Sequence, residues 1–190
     1  MGLNLPKFGK NKSNYNKQVL HFFIRLFLLV TAWTFFWTLF LKPARTIDKP
    51  LTYLLTASVV HVVNAVSPNT PTISWETDPK RNCAFLVQNG VNVFEIWDAC
   101  NGIDLMIIYL GIIILLPYPI KRKIFFSVGG VIVIILANIL RISLLYLIYI
   151  YYRTAFEFSH HYLFSILMYL LIFYGWLLYI KTTKEHETGS

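Results

Sequence analysis

Three polar islands interrupt a chain otherwise built for lipid. Cys100-Asn101-Gly102-Ile103-Asp104 opens one apolar run, Asn138-Ile139-Leu140-Arg141 lies inside another, and His160-His161 precedes the last. A thiolate attacks carbonyl carbon and is favoured by a nearby cation. An imidazole carries a proton to a leaving amine. A guanidinium stays charged when partly desolvated and stabilises an oxyanion or a thiolate. These are the parts of a cysteine acyl-transfer site, with Cys100 as nucleophile, His161 or His160 as acid–base and Arg141 as charge stabiliser. Asp104 lies one helical turn beyond Cys100 on the same face. It is therefore also a candidate ion-pair partner for Arg141.

Residues so far apart in sequence can react only if the membrane topology brings them together. The chain has 190 residues, of which 56% are hydrophobic, 17% aromatic and 14% charged. A soluble domain carries about a quarter charged residues, so the composition indicates a single integral membrane domain. Four apolar runs read as spans, near 19–41, 102–120, 124–152 and 161–180, since a span needs about 20 residues. The first is too long for a signal-peptide core and no small-residue cleavage site follows it, so no cleavable leader is expected. Arg25 sits near its inner end and can snorkel to the headgroups. Leu51 to Val66 is short for a span, contains His61 and Asn64, and reads as an amphipathic helix at the outer interface. Residues 68–81 read as loop.

Asn89-Gly90 between Phe85-Leu86-Val87 and Val91 to Ile96 is a hairpin signal, because a type I′ turn needs positive φ at both positions. A two-residue loop puts Cys83 opposite Ile96 and leaves Cys100 four residues further on. That argues against a Cys83–Cys100 disulfide. The fold class expected is thus an all-α polytopic membrane protein of about four spans, with an outer-face helix and a small β-hairpin before Cys100. Its membrane domain covers 19–180, between a basic tail at 1–18 and a short tail at 181–190.

Basic residues fix the orientation. Lys7, Lys10, Lys12 and Lys17, then Lys121-Arg122-Lys123, then Lys181 and Lys184 belong in the cytoplasm by the positive-inside rule. The segment 42–98 then falls outside. Arg141 lies about 25 Å along its helix from Ile124 at 1.5 Å per residue, just beneath the outer boundary of a hydrocarbon layer about 30 Å thick. Cys100 and the two histidines lie at the outer mouths of their spans. All three groups reach one layer, and ionisable groups at such depth usually face the bundle interior.

Blander readings exist for each residue. Cys100 can be a small apolar residue, Arg141 a structural partner of Asp104, and the histidines interfacial polar groups. A non-catalytic membrane scaffold with an Asp104–Arg141 pair is therefore the alternative function. A small transporter ranks lower, because the second and fourth spans are nearly free of polar groups below the outer layer. The net charge of +8 follows from topology, and no nucleic-acid, phosphate-loop or metal-ligand motif occurs. Neither a cofactor nor a metal is expected.

Ala99-Cys100-Asn101-Gly102-Ile103 resembles the Cys-(Ser/Asn)-Gly signature of the exosortase/archaeosortase family, and Ala137 to Ile142 resembles its Asn-x-x-Arg motif. His160-His161 takes the place of its third element, a histidine opening a later span. The resemblance runs roughly from Cys83 to Tyr179. It implies a membrane cysteine protease or transpeptidase that cuts C-terminal sorting signals of exported proteins through a thioester. The new end would pass to an acceptor, with a lipid or a glycan as candidates. It implies a catalytic set of Cys100, Arg141 and His161 or His160, with Asn101, Gly102, Asp104 and Asn138 in support. The implied location is the cell (inner) membrane, with the site facing outward. A glycine often follows the family's histidine by four residues. Ser165 stands there counted from His161 and Phe164 counted from His160, so the small residue favours His161.

Overall fold

The computed structural model describes residues 12–188, apart from Lys42, Ala44, residues 68–70, residues 79 and 80, and Pro117. Residues 1–11 of the expected basic tail, with Lys7 and Lys10, lie outside the described residues, as do 189–190 of the C-terminal one. The chain is mostly helical. Helix α1 (Lys12–Phe36) continues through a π-helical stretch, Trp37–Leu41, and is followed by α2 (Asp48–Val66). Strands β1 (Ile73–Thr77), β2 (Cys83–Gln88) and β3 (Val91–Trp97) form one antiparallel sheet in that order. A 3₁₀ turn, Asp98–Cys100, leads into α3 (Ile103–Leu115). Helix α4 (Ile120–Tyr151), short α5 (Arg153–Phe158), a π-helical stretch (Ser159–Leu163) and α6 (Phe164–Thr188) complete the chain. By length and composition, Ile120–Tyr151 and Arg153–Thr182 can each cross a membrane. Phe27–Phe40 and Ile103–Leu115 are apolar but shorter.

Three local differences from the sequence reading have physical reasons. The stretch read as loop contains β1, which pairs with β2 from Ile73 opposite Gln88 to Thr77 opposite Ala84. Its alternation Ile73-Ser74-Trp75-Glu76-Thr77 buries Ile73 on the core side. Asn64 fixes this strand to α2, donating through Nδ2 to the Ile73 carbonyl (2.9 Å) and accepting from the Ile73 N–H (3.0 Å). Asn64 is thus a clip within the fold rather than a merely interfacial polar residue.

The hairpin turn is where the Asn-Gly pair puts it, with φ of 53° at Asn89 and 77° at Gly90. Its register slips by one, however, because Val87 pairs with Asn92 but Leu86 with Phe94. Cys83 therefore opposes Trp97, not Ile96. Side chains alternate faces along a strand, so without this bulge at Val93 the core position beside Leu86 and Ala84 would receive Glu95. The bulge turns Ile96 inward, where it is 1% exposed, and leaves Glu95 to bond Arg81 at 2.9 Å. Both cysteines are free.

The link between the third and fourth apolar runs, Arg153 to Ser159, is helical rather than open, and the reversal after α4 is confined to Tyr152 (φ −137°, ψ 56°). No glycine or proline in 153–159 opposes helix.

Two larger cores hold these elements, beside a small cluster of Cys83, Phe85 and Val87 within β2. Val59, Val60 and Val63 of α2 pack with Leu86 and Ile96 of the sheet and with Ile142 and Tyr146 of α4. A second core joins α3, α4 and α6 through Met106, Tyr109, Ile113, Ile134, Met168 and Ile172. Helix α2 thus covers the sheet and holds it against α4.

Candidate active site

Backbone geometry first decides how Cys100 is presented. Strand β3 ends at Trp97, and the 3₁₀ turn then reverses direction into α3. Gly102 makes the entry to α3 with φ of 80°, in the left-handed region glycine tolerates without strain. Any Cβ there would lie 3.3 Å from Nδ2 of Asn138. Asn101, fully buried, accepts the Ile103 N–H at its own Oδ1 (3.0 Å) and so satisfies one free amide at the start of α3. Asn138 is also fully buried and donates through Nδ2 to the Cys100 carbonyl (2.8 Å). The two motifs of the sequence are therefore parts of one joint between α4 and the Cys100 turn.

A cleft of ≈ 470 Å³ opens beside this turn. Cys100, Arg141 and His160 all line it, with Asn92–Trp97 of β3 along one wall and Tyr149 and Phe156 on the other elements. Strand β3 is the last in the sheet, so its outer edge carries no strand partner among the described residues. The His160 ring stacks on Phe156 at 4° between planes, with centroids 5.6 Å apart. It stands in the π-helical stretch Ser159–Leu163, and such one-turn irregularities recur at functional sites. His161 is not among the residues that line the cleft, although its ring meets the His160 ring edge-on with centroids 4.7 Å apart. Its side chain is 61% exposed and its Nε2 lies 3.2 Å from Glu157 one turn back.

Arg141 donates from Nη1 to Oδ1 of Asn138 at a long 3.5 Å, and its buried Nε has no hydrogen-bond partner among the described residues. Asp104 and Arg141 line a separate cavity of ≈ 170 Å³ with Ser165 and Tyr169. No ion pair joins them among the described residues, whose three salt bridges are Arg45–Asp98, Arg81–Glu95 and His161–Glu157. The structural Asp104–Arg141 pair of the scaffold alternative is thus replaced by an open arrangement in which the guanidinium keeps free donors.

Burial pushes the Cys100 thiol above the ordinary thiol range, while Arg141 and a backbone hydrogen bond at Trp97 pull the other way. The lowered pKa expected from a neighbouring cation is therefore reversed at rest, because desolvation outweighs that attraction. Such a thiol needs a base to remove its proton.

The family model of transmembrane exosortases matches residues 15–181. The chain belongs to the transmembrane exosortase family. No curated protein and no solved structure matches it. The exosortase match covers α1 through most of α6, and so includes the sheet and the cleft as well as the apolar helices.

Some residues that shape this candidate site escaped the sequence reading. Asp98 accepts two bonds from Arg45, from Nε at 2.7 Å and Nη2 at 2.9 Å, and one from the Thr52 hydroxyl at 2.8 Å. Asp48, 6% exposed, accepts from Nδ2 of Asn101 at 2.8 Å. Burial raises the Asp48 carboxyl above the usual carboxylate range, with the Asn101 bond opposing. Only the adjacency of Asp98 to the Cys100 motif could have drawn attention to this group. Nothing in the linker before Leu51 announced Arg45 or Asp48.

Proposed function

We propose that the chain is a membrane cysteine transpeptidase or protease that cleaves C-terminal sorting signals of exported proteins through a thioester on Cys100. The observation that carries this reading is the single cleft lined by Cys100, Arg141 and His160. His160 takes the thiol proton, and the Cys100 sulfur attacks the scissile carbonyl. Arg141, with unengaged donors at hand, stabilises the tetrahedral oxyanion. Collapse breaks the C–N bond, and the leaving amine receives the proton from His160. An acceptor amine or hydroxyl, or water, then gives its proton to His160 and attacks the thioester, which releases the Cys100 thiolate, and His160 returns the proton to the sulfur. The geometry favours His160 over His161 for this role, contrary to the spacing argument from Ser165. Asn101, Gly102 and Asn138 hold the nucleophile's turn, and Asp104 is left outside the chemistry.

The free edge of β3 suits an extended substrate segment, since a peptide can add a strand to an exposed edge. The strand runs straight into the Cys100 turn, which would bring a paired segment's carbonyl to the sulfur. In the cell (inner) membrane we place the spans near 19–41, 102–120, 124–152 and 161–180, with segment 42–98 on the outer side and the cleft opening toward that side. The acceptor is a lipid or a glycan.

A co-expressed reporter ending in a tripartite sorting signal tests the reading. Cys100→Ala should abolish its processing. His160→Ala should slow it by about 10²–10⁴-fold, the usual contribution of a positioned acid–base, while His161→Ala keeps most of the activity. Equal losses in the two histidine variants would refute the assignment to His160.

A further inference from the structure

We infer that Asp48 is a positioning residue for the nucleophile, acting through Asn101, and that the start of α2 with Arg45 forms a clamp on the Cys100 turn. The inference rests on the proposed role of Cys100. The turn from Asp98 to Gly102 makes few contacts of its own. One internal bond, from the Asn101 N–H to the Asp98 carbonyl (3.1 Å), closes it. The start of α3 adds two bonds, from the Ile103 N–H to Oδ1 of Asn101 (3.0 Å) and from the Met106 N–H to the Gly102 carbonyl (3.1 Å), and the side chains that grip the turn come from elements distant in sequence.

On one side Asn138 of α4 holds the Cys100 carbonyl. On the other, Asp48 and Thr52, one turn apart on α2, hold Asn101 and Asp98, the residues flanking Ala99-Cys100. Arg45 adds a two-pronged bond to Asp98, with both side chains 14% exposed. A bidentate pair in that setting fixes orientation as well as distance. Arg45 itself sits at φ 49°, a region that non-glycine residues occupy at a cost. Such a conformation persists where surrounding contacts over-determine it, and here they include the two bonds to Asp98, one to the Arg81 carbonyl (3.4 Å) and the Lys49 N–H on the Arg45 carbonyl (3.0 Å).

The consequence for chemistry is specific. Asn101 uses its Oδ1 on the Ile103 N–H and its Nδ2 on Asp48. Removing Asp48 leaves a buried amide donor without a partner, and Asn101 must move to find water. Cys100 is its immediate neighbour, so the sulfur moves with it. A nucleophile displaced by about 1 Å loses on the order of 10²-fold in rate. The same displacement opens the thiol to water, and the burial that holds its pKa up is relieved. Asp48 therefore opposes two quantities that ordinarily rise together: loss of the clamp should slow turnover and speed non-specific alkylation.

The test uses the full chain in membrane vesicles, with iodoacetamide as probe and peptide mapping to read Cys100 and Cys83 separately. Asp48→Ala should lower kcat for the sorting-signal reporter by about 10–100-fold with little change in KM. It should also accelerate Cys100 alkylation and move its pH midpoint down. Cys83, 0% exposed in the sheet, should stay unlabelled, which separates a loosened turn from unfolding. Asp48→Asn retains an acceptor oxygen and should restore both readouts. Thr52→Val, which removes one bond to Asp98, should give the same signature on a smaller scale if Asp48→Ala also exposes Cys83. Unchanged Cys100 alkylation and turnover in Asp48→Ala and Thr52→Val, or an Asp48→Asn enzyme as impaired as Asp48→Ala, would overturn the clamp. Processing that survives Cys100→Ala would instead end the catalytic reading, while faster alkylation in Asp48→Ala would still establish the clamp.

Discussion

At the residue scale, the thiol's environment sets a testable pH dependence. Burial raises the Cys100 pKa and Arg141 lowers it, with burial the larger effect. The thiolate is the reactive form, and with a raised pKa it is lost as pH falls from a higher starting point than for a free thiol. Alkylation of Cys100 should thus show a pH midpoint above that of an exposed cysteine. Arg141→Gln should push it higher still and slow alkylation at every pH below it. A midpoint that fell in Arg141→Gln would show that the guanidinium does not favour the thiolate. The convergence at this candidate site was legible by type and order: a thiol, an arginine and a histidine reach one cleft. Which histidine lines the cleft was not legible, because a side-chain direction depends on helical phase. The π-helical stretch at Ser159–Leu163 adds a residue to one turn and so changes that phase. The spacing of Ser165 carries no information about it.

At the element scale, the hairpin turn and the helix entry at Gly102 follow from local chemistry, and both are where glycine chemistry requires them. Gly102→Ala should cost about 1–3 kcal/mol from positive φ alone, with further crowding against Asn138. Lower thermal retention of the solubilised protein would record it. Gly130 meets a different constraint, since a Cβ there would collide with the Tyr109 ring, whose hydroxyl donates to the Phe126 carbonyl (2.9 Å). Gly130→Ala should therefore destabilise the α3–α4 contact, and Gly129→Ala, with nothing within 4 Å of its added Cβ, should not. Equal thermal retention in the two alanine variants would contradict that packing. The bulge at Val93 was invisible to turn rules, because its cause is tertiary: the core accepts Ile96 and rejects Glu95. Strand β1 was hidden for a related reason. Its five residues are stabilised by pairing with β2 and by the Asn64 clip rather than by any strong local signal.

At the scale of the whole molecule, composition was enough to identify a membrane bundle, and the family match agrees with it. The role of α2 was not. Its apolar run suggested a helix resting on the outer interface, yet one face packs on the sheet and α4 through Val59, Val60 and Val63. Its first turns also hold the Cys100 turn. Periodicity registers the apolar face but cannot tell protein from lipid as its partner. The proposed topology puts both ends of the chain in the cytoplasm. A fluorescent protein fused after Ser190 should then fluoresce, and an alkaline phosphatase inserted between β1 and β2 should be active. An inactive insertion with the protein otherwise intact would reverse the orientation.

The most direct test of the central claim is processing of the sorting-signal reporter by Cys100→Ala beside Cys83→Ala, at matched membrane levels. The catalytic reading predicts no processing in the first and substantial processing in the second, with an acyl group detectable on Cys100 in the unsubstituted chain. Processing by Cys100→Ala at the level of the unsubstituted chain would contradict it.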